Sequence, residues 1–79
     1  MYEVGYKLGR YWAQSDASVE QRTVVLGLSD GRDWVAAQEN PLAELKRLID
    51  PTGSGFLDVP DVPENAFVAG FIDGARSAN

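Results

Sequence analysis

The side chains of this chain that could take part in chemistry are mainly carboxylates. The 79 residues include 12 Asp and Glu but no Cys and no His, and the net charge is −5 at neutral pH. Without thiols and imidazoles, the chain lacks the commonest general base and the usual ligands of transition metals. The carboxylates are therefore expected to bind either a hard cation, which prefers oxygen ligands, or a basic partner.

The excess negative charge is confined to residues 30–64, because the segments on either side are balanced. Such a segment repels nucleic acid and attracts cations or basic protein surfaces. We interpret the acids of this stretch as candidate partner-binding residues, although an ordinary solvated face is the alternative. These candidates are Asp30, Asp33, Glu39, Glu44, Asp58, Asp61 and Glu64, with Asp50 the remaining acid and only Arg32, Lys46 and Arg47 opposing them.

Residues 50–61, DPTGSGFLDVPD, resemble the calcium loop of EF-hand proteins. That loop places oxygen ligands at positions 1, 3, 5, 7, 9 and 12, with Gly at position 6 for a sharp turn. The resemblance implies a calcium site with Gly55 as the turn glycine. Its ligands would be Asp50, Thr52, Ser54, the backbone carbonyl of Phe56, Asp58 and Asp61. Two positions that are usually carboxylates or amides are hydroxyls here, which implies weak binding. The alternative is that these residues simply form turns.

Helix signals predict a mainly α protein of about four helices in a single domain, residues 1–79. Ser18 and Gln21 form a capping-box pattern before residues 19–28, and Asn40 followed by Pro41 is a typical helix start. Residues 33–40 look like a short helix, and a final helix is expected from Asp61, with Glu64 as its capping partner, to Ser77. The alternative is an α+β fold with a hairpin around Asp30-Gly31, because TVVLGL before it is β-branched.

The first predicted helix, residues 1–14, carries a recurring polar stripe. Glu3, Lys7, Arg10 and Gln14 follow one another at spacings of four, three and four, which predicts one exposed face. The apolar residues are expected on a buried side: Met1, Val4, Leu8, Tyr11 and Trp12. Trp34, like Trp12, is expected in the core.

A repeated glycine pattern links the two ends of the chain. Residues 2–9, YEVGYKLG, and residues 67–74, FVAGFIDG, both place an aromatic residue three positions before each Gly. Each Gly costs about 1 kcal/mol of helix propensity relative to Ala, so a close contact should offset that cost. We expect the two terminal helices to pack through these glycines, with a homodimer or a partner groove on the same surface as the alternative.

Residues 68–76, VAGFIDGAR, also resemble the LAGLIDADG helix of homing endonucleases. In that family, small residues let two helices pack closely and an acid near the helix end binds the catalytic metal. The aligned position holds Ala75 in this chain, so we reject a nuclease. No phosphate-binding glycine loop, nucleophile with a base or catalytic carboxylate pair is recognisable either, and we expect no enzyme activity.

These observations favour a small acidic module that binds a basic protein surface as an inhibitor or adaptor. In size and charge the chain is similar to phage and mobile-element products, including anti-CRISPR proteins that occupy basic nucleic-acid channels. Direct binding of nucleic acid is not expected. No apolar run is long enough to span a bilayer, and a cytoplasmic protein is predicted. An EF-hand-like calcium-binding module is the alternative function.

Overall fold

The computed structural model describes residues 1–50 and 64–78, which form five α-helices. These are α1 (Tyr2–Ser15), α2 (Val19–Leu26), α3 (Gly31–Ala36), α4 (Pro41–Ile49) and α5 (Glu64–Ser77). The described residues contain no strand, so the predicted small helical bundle is confirmed. None of these helices is both long enough and apolar enough to cross a membrane. The predicted start of the last helix at Asp61 lies outside the described residues.

Local capping explains why α2 and α4 begin where they do. Ser18 accepts a 3.0 Å hydrogen bond from the backbone N–H of Gln21, whose side chain accepts a 2.9 Å bond from the N–H of Ser18. This reciprocal pair stabilises the start of α2, and its contribution outweighs the preference of the β-branched residues of α2 for a strand. Asn40 likewise accepts from the N–H of Ala43 at 3.3 Å, with Pro41 in the first turn of α4.

The alternative hairpin at Asp30-Gly31 is wrong, because these residues start α3. The carboxylate of Asp30 accepts a 3.0 Å hydrogen bond from the N–H of Asp33, and its carbonyl accepts a 2.9 Å bond from Trp34. Asp is a strong helix N-cap residue because its side chain satisfies one of the free amides of the first turn. The resulting helix, Gly31–Ala36, begins and ends earlier than the predicted 33–40.

Helix α5 forms the centre of the fold and contacts each of the other four helices. The largest side chains that are almost completely buried among the described residues are Trp12, Leu45, Phe67, Val68, Phe71 and Ile72. Four of them belong to α5, which has buried residues on all its sides. Burying each such side chain contributes about 1.5–3 kcal/mol relative to leaving it in water. Trp34 also lies in the core, as predicted.

The glycine pattern produces a close contact between α1 and α5, which confirms the predicted packing. A Cβ atom on Gly5 would clash with the carbonyl of Phe67 and lie 3.0 Å from the amide nitrogen of Phe71. Reciprocally, a Cβ atom on Gly70 would clash with the carbonyl of Tyr2 and lie 3.0 Å from the amide nitrogen of Tyr6. Gly5 contacts Phe67, and Gly9, one turn later in α1, contacts Phe71, one turn later in α5. The two helices therefore run in the same direction.

The predicted buried face of α1 is partly wrong. Trp12 is buried and Leu8 is half-buried, but Met1, Val4 and Tyr11 are 49%, 49% and 57% exposed. Helix geometry places Val4 and Tyr11 roughly 100–160° around α1 from Gly5 and Gly9. Met1 precedes the helix. Because the glycines bring the backbones of α1 and α5 together, the side of α1 that carries them is buried instead. The predicted polar stripe is exposed throughout.

Candidate functional site

Asp73 joins three helices through its carboxylate. Its Oδ1 accepts a 2.6 Å hydrogen bond from the backbone N–H of Gly31, at the start of α3. Its Oδ2 accepts a hydrogen bond from the hydroxyl of Tyr2, at the start of α1. Asp73 is half-buried on α5, so both of its oxygens are satisfied where water has limited access. This contact holds the first turn of α3 against α5.

The same contact changes the acidity of Tyr2. The hydrogen bond to Asp73 raises the pKa of Tyr2 from 10.0 to about 12, with smaller contributions from burial and from the negative charge of Asp73. The positive charge of Arg32 acts weakly in the opposite direction. Removing the tyrosine proton would place a second negative charge beside Asp73, which is why the neutral hydroxyl is favoured.

Three of the acids in residues 30–50 already have partners within the chain. Asp30 caps α3, and Glu44 lies 3.5 Å from the guanidinium of Arg47 one helical turn away. Asp50 ends α4, where its backbone N–H donates a 2.7 Å hydrogen bond to the carbonyl of Lys46. Asp30 and Glu44 therefore stabilise their helices through their carboxylates, so their negative charge is not by itself evidence of a binding surface, whereas the bond of Asp50 to Lys46 involves only its backbone.

Asp33 and Glu39 are exposed and differ from those acids. Asp33 lies in the first turn of α3 and Glu39 precedes α4. Neither side chain makes an ion pair or a hydrogen bond with any residue that the structure describes. Of the other predicted partner-binding residues, Glu64 begins α5, while Asp58 and Asp61 lie outside the described residues. Asp33 and Glu39 are therefore exposed members of the predicted set without a partner among the described residues, and their role in partner binding stays a prediction.

The predicted calcium ligands are almost all beyond the described part of the chain. Asp50 is described, whereas Thr52, Ser54, Phe56, Asp58 and Asp61 are not. In residues 1–50 and 64–78, no three carboxylates come together in a cluster that could hold a metal ion. The calcium site implied by the EF-hand resemblance stays a prediction.

A groove lies between α3 and the first two turns of α5, and we call it the α3–α5 groove. It has a volume of about 430 Å³. Val35 and Ala36 of α3, together with Ala66 and Ala69 of α5, provide its apolar surface, and Ala69 is buried. Tyr2, Arg32 and Asn65 also line it. The described part of the lining is thus mainly apolar, with Arg32 as its one charged side chain.

No family model, curated protein or solved structure matches this chain.

The contact of Asp73 with Gly31 and Tyr2 was not predicted from the sequence, although one signal for it exists. Asp73 is the only charged residue between Phe67 and Ala75, the otherwise apolar middle of the central helix α5. A lone acid in such a helix needs a hydrogen-bond partner, because burying an unpaired carboxylate is costly. The identity of the partners could not be deduced, since they come from other helices.

Proposed function

We propose that this protein is a small acidic module that binds a basic surface of another protein. The observation that carries the proposal is that Asp33 and Glu39, both within the acidic segment 30–64, are exposed and have no partner among the described residues. A basic protein surface supplies the Lys and Arg side chains that would complement these carboxylates. Occupying such a surface would make the module an inhibitor or an adaptor.

The charge distribution supports a basic partner. The chain has a net charge of −5, and the excess is confined to residues 30–64. A concentrated charge accelerates the approach of an oppositely charged partner and disfavours partners of the same sign. Exposed carboxylates contribute little to folding stability, so Asp33 and Glu39 can be used for recognition without weakening the fold.

The anchoring of α3 is well suited to present the carboxylate of Asp33 rigidly. Asp30 caps the helix, and Gly31 is held by Asp73 on the central helix. The N–H of Gly31 thus fixes the first turn that bears Asp33. Rigid presentation lowers the entropy that association costs, and this favours binding by a short surface helix.

Photo-crosslinking in the cells that naturally make the protein tests the proposal. A photoreactive amino acid at position 37, an exposed position between Asp33 and Glu39 that leaves both carboxylates in place, is expected to capture one partner. The capture should fade when salt is added. The matched control carries the photoreactive group at Thr23, an exposed position on α2. Equal capture of the same partner from position 23 would contradict a binding surface at α3, as would capture that is indifferent to salt.

A further inference from the structure

The α3–α5 groove combines an apolar surface with one positive charge. Among the residues that the structure describes, Arg32 is the only charged one that lines the groove. It is exposed and forms no ion pair with any of them. The nearby carboxylate of Asp73 accepts hydrogen bonds from Tyr2 and Gly31 instead. The guanidinium of Arg32 is therefore available to an anion that enters the groove.

A carboxylate is the anion that fits this arrangement best. The planar guanidinium of arginine can donate two parallel hydrogen bonds to one carboxylate, and such charge-assisted bonds are roughly twice as strong as neutral ones. The exposed amide of Asn65, which also lines the groove, offers a further donor. A phosphate would bring more negative charge into an already acidic protein, so a single carboxylate is favoured.

The rest of the ligand must be apolar. Val35, Ala36, Ala66 and Ala69 offer no side-chain hydrogen-bonding group, and small alanine side chains leave room beside the helix backbone. The groove volume of about 430 Å³ falls within the roughly 300–1,000 Å³ of small-molecule sites. An apolar lining with a few polar groups that orient the ligand is the usual composition of such sites.

We propose that the α3–α5 groove binds a small molecule with an apolar body and one carboxylate. The carboxylate pairs with Arg32, and the apolar body lies against Val35, Ala66 and Ala69. The proposed basic partner contacts different side chains, the exposed acids, although Asp33 directly follows Arg32 on α3. The groove uses a positive charge, whereas the partner surface uses the negative charges of Asp33 and Glu39, so each can be tested without the other.

A nuclear magnetic resonance titration of the whole protein with phenylacetate tests the proposal. Its matched probe is phenylacetamide, which has the same aromatic body but no charge. Phenylacetate should shift the amide resonances of Val35, Ala36, Ala66 and Ala69 saturably, and phenylacetamide should bind about tenfold more weakly. Arg32→Gln should weaken phenylacetate binding by about the same factor and leave phenylacetamide binding unchanged.

The control variant is Arg22→Gln, which removes an exposed arginine on α2 and should change neither affinity. Ala66→Leu should fill the groove and abolish binding of both probes, while the remaining resonances show that the protein is folded. The proposal is overturned if phenylacetate causes no saturable shift, if the acid and the amide bind equally, or if Arg22→Gln has the same effect as Arg32→Gln. Nuclear Overhauser effects that place residues 51–63 of the same chain against Ala66 or Ala69 would also overturn it.

Discussion

The backbone N–H of Gly31 donates a 2.6 Å hydrogen bond to the carboxylate of Asp73, 42 residues further along the chain. A Cβ atom on Gly31 would also clash with the backbone carbonyl of Ala69, one helical turn before Asp73 on α5. Helix α3 therefore begins at a point where its backbone directly contacts the central helix. This contact links the core of the fold to the turn that carries Asp33.

Replacing Asp73 by Ala should destabilise the protein by about 1–3 kcal/mol. The change leaves the N–H of buried Gly31 without its acceptor, and an unsatisfied buried donor is costly. The hydroxyl of Tyr2 also loses its acceptor, but Tyr2 is exposed and can bond to water. The free energy of unfolding in urea measures the effect. Asp16→Ala, at an exposed position at the end of α1, is the matched control and should change stability little. Equal effects of the two variants would show that the Asp73 contact is not stabilising.

The Tyr2 contact should weaken at high pH. The pKa of Tyr2 is raised from 10.0 to about 12 in the folded protein, mainly by the hydrogen bond to Asp73. Because the folded pKa is the higher one, this contribution to stability is complete below pH 10 and is lost as the pH rises through 12. Tyrosinate absorbance followed against pH should show a component near pH 12 that disappears in Tyr2→Phe.

The variant Asp73→Asn gives an independent check of the same contact. Removing the negative charge should lower the pKa of Tyr2, so its absorbance change should move to lower pH. If the component near pH 12 persists in Tyr2→Phe, or if Asp73→Asn leaves the titration unchanged, the hydrogen bond between Tyr2 and Asp73 does not exist in solution.

Adding a methyl group to the glycines between α1 and α5 should destabilise the fold. Gly5→Ala and Gly70→Ala gain about 1 kcal/mol of helix propensity, but their Cβ atoms would overlap backbone carbonyls that cannot move aside like a side chain. We expect a net loss of about 1–3 kcal/mol from overpacking. Thermal unfolding measures the change.

Gly27→Ala is the matched control for the glycine contact. Gly27 has a φ of −82°, and the nearest atom to an added Cβ would be the carbonyl oxygen of Val24 at 3.5 Å, an ordinary contact. This substitution should be neutral or stabilising by up to about 1 kcal/mol. Stabilisation by Gly5→Ala or Gly70→Ala would mean that α1 and α5 do not approach closely.

Two substitutions of Asp30 distinguish its hydrogen bond as the N-cap of α3 from the effect of its negative charge. Asp30→Ala removes the acceptor of the Asp33 N–H and should cost about 1 kcal/mol, whereas Asp30→Asn keeps an acceptor and should cost much less. Urea unfolding of both variants is the measurement. Equal losses would indicate that the charge of Asp30, and not its cap, stabilises α3. This role also makes Asp30 unsuitable for charge-reversal tests of partner binding.

The sequence predicted the local features of this fold well. The capping box of Ser18 and Gln21 and the Asn40 cap of α4 depend on residues three positions apart, and the structure contains both. The glycine repeat also predicted the α1–α5 contact. Two glycines in each helix lower its helix propensity, and a close approach of the helices offsets that cost. Local spacing was sufficient in each case.

Other features depended on tertiary contacts that local spacing cannot specify. Helix α1 has two apolar faces, and only the position of α5 decides that the glycine face is buried while Met1, Val4 and Tyr11 are exposed. Asp73 meets Gly31 and Tyr2 at separations of 42 and 71 residues. The α3–α5 groove likewise combines residues from distant parts of the sequence.

Calcium binding by residues 50–61 stays a prediction of the EF-hand resemblance. If this stretch binds calcium, millimolar calcium should raise the melting temperature, because a ligand that binds only the folded state stabilises it. Asp50→Ala should abolish that increase if it reflects this site. The absence of any increase in the unsubstituted protein would remove this alternative function.

Surface plasmon resonance with the crosslinked partner, once it is purified, tests the central claim most directly. Asp33→Lys with Glu39→Lys should weaken binding and reduce its salt dependence, and the association rate of the unsubstituted protein should fall steeply between two salt concentrations. Glu3→Lys with Glu20→Lys changes the net charge equally at exposed positions on α1 and α2 and should have a smaller effect. Circular dichroism should show that both variants are folded. Equal weakening by the two pairs, or an affinity indifferent to salt, would contradict recognition of a basic partner by the acids beside α3.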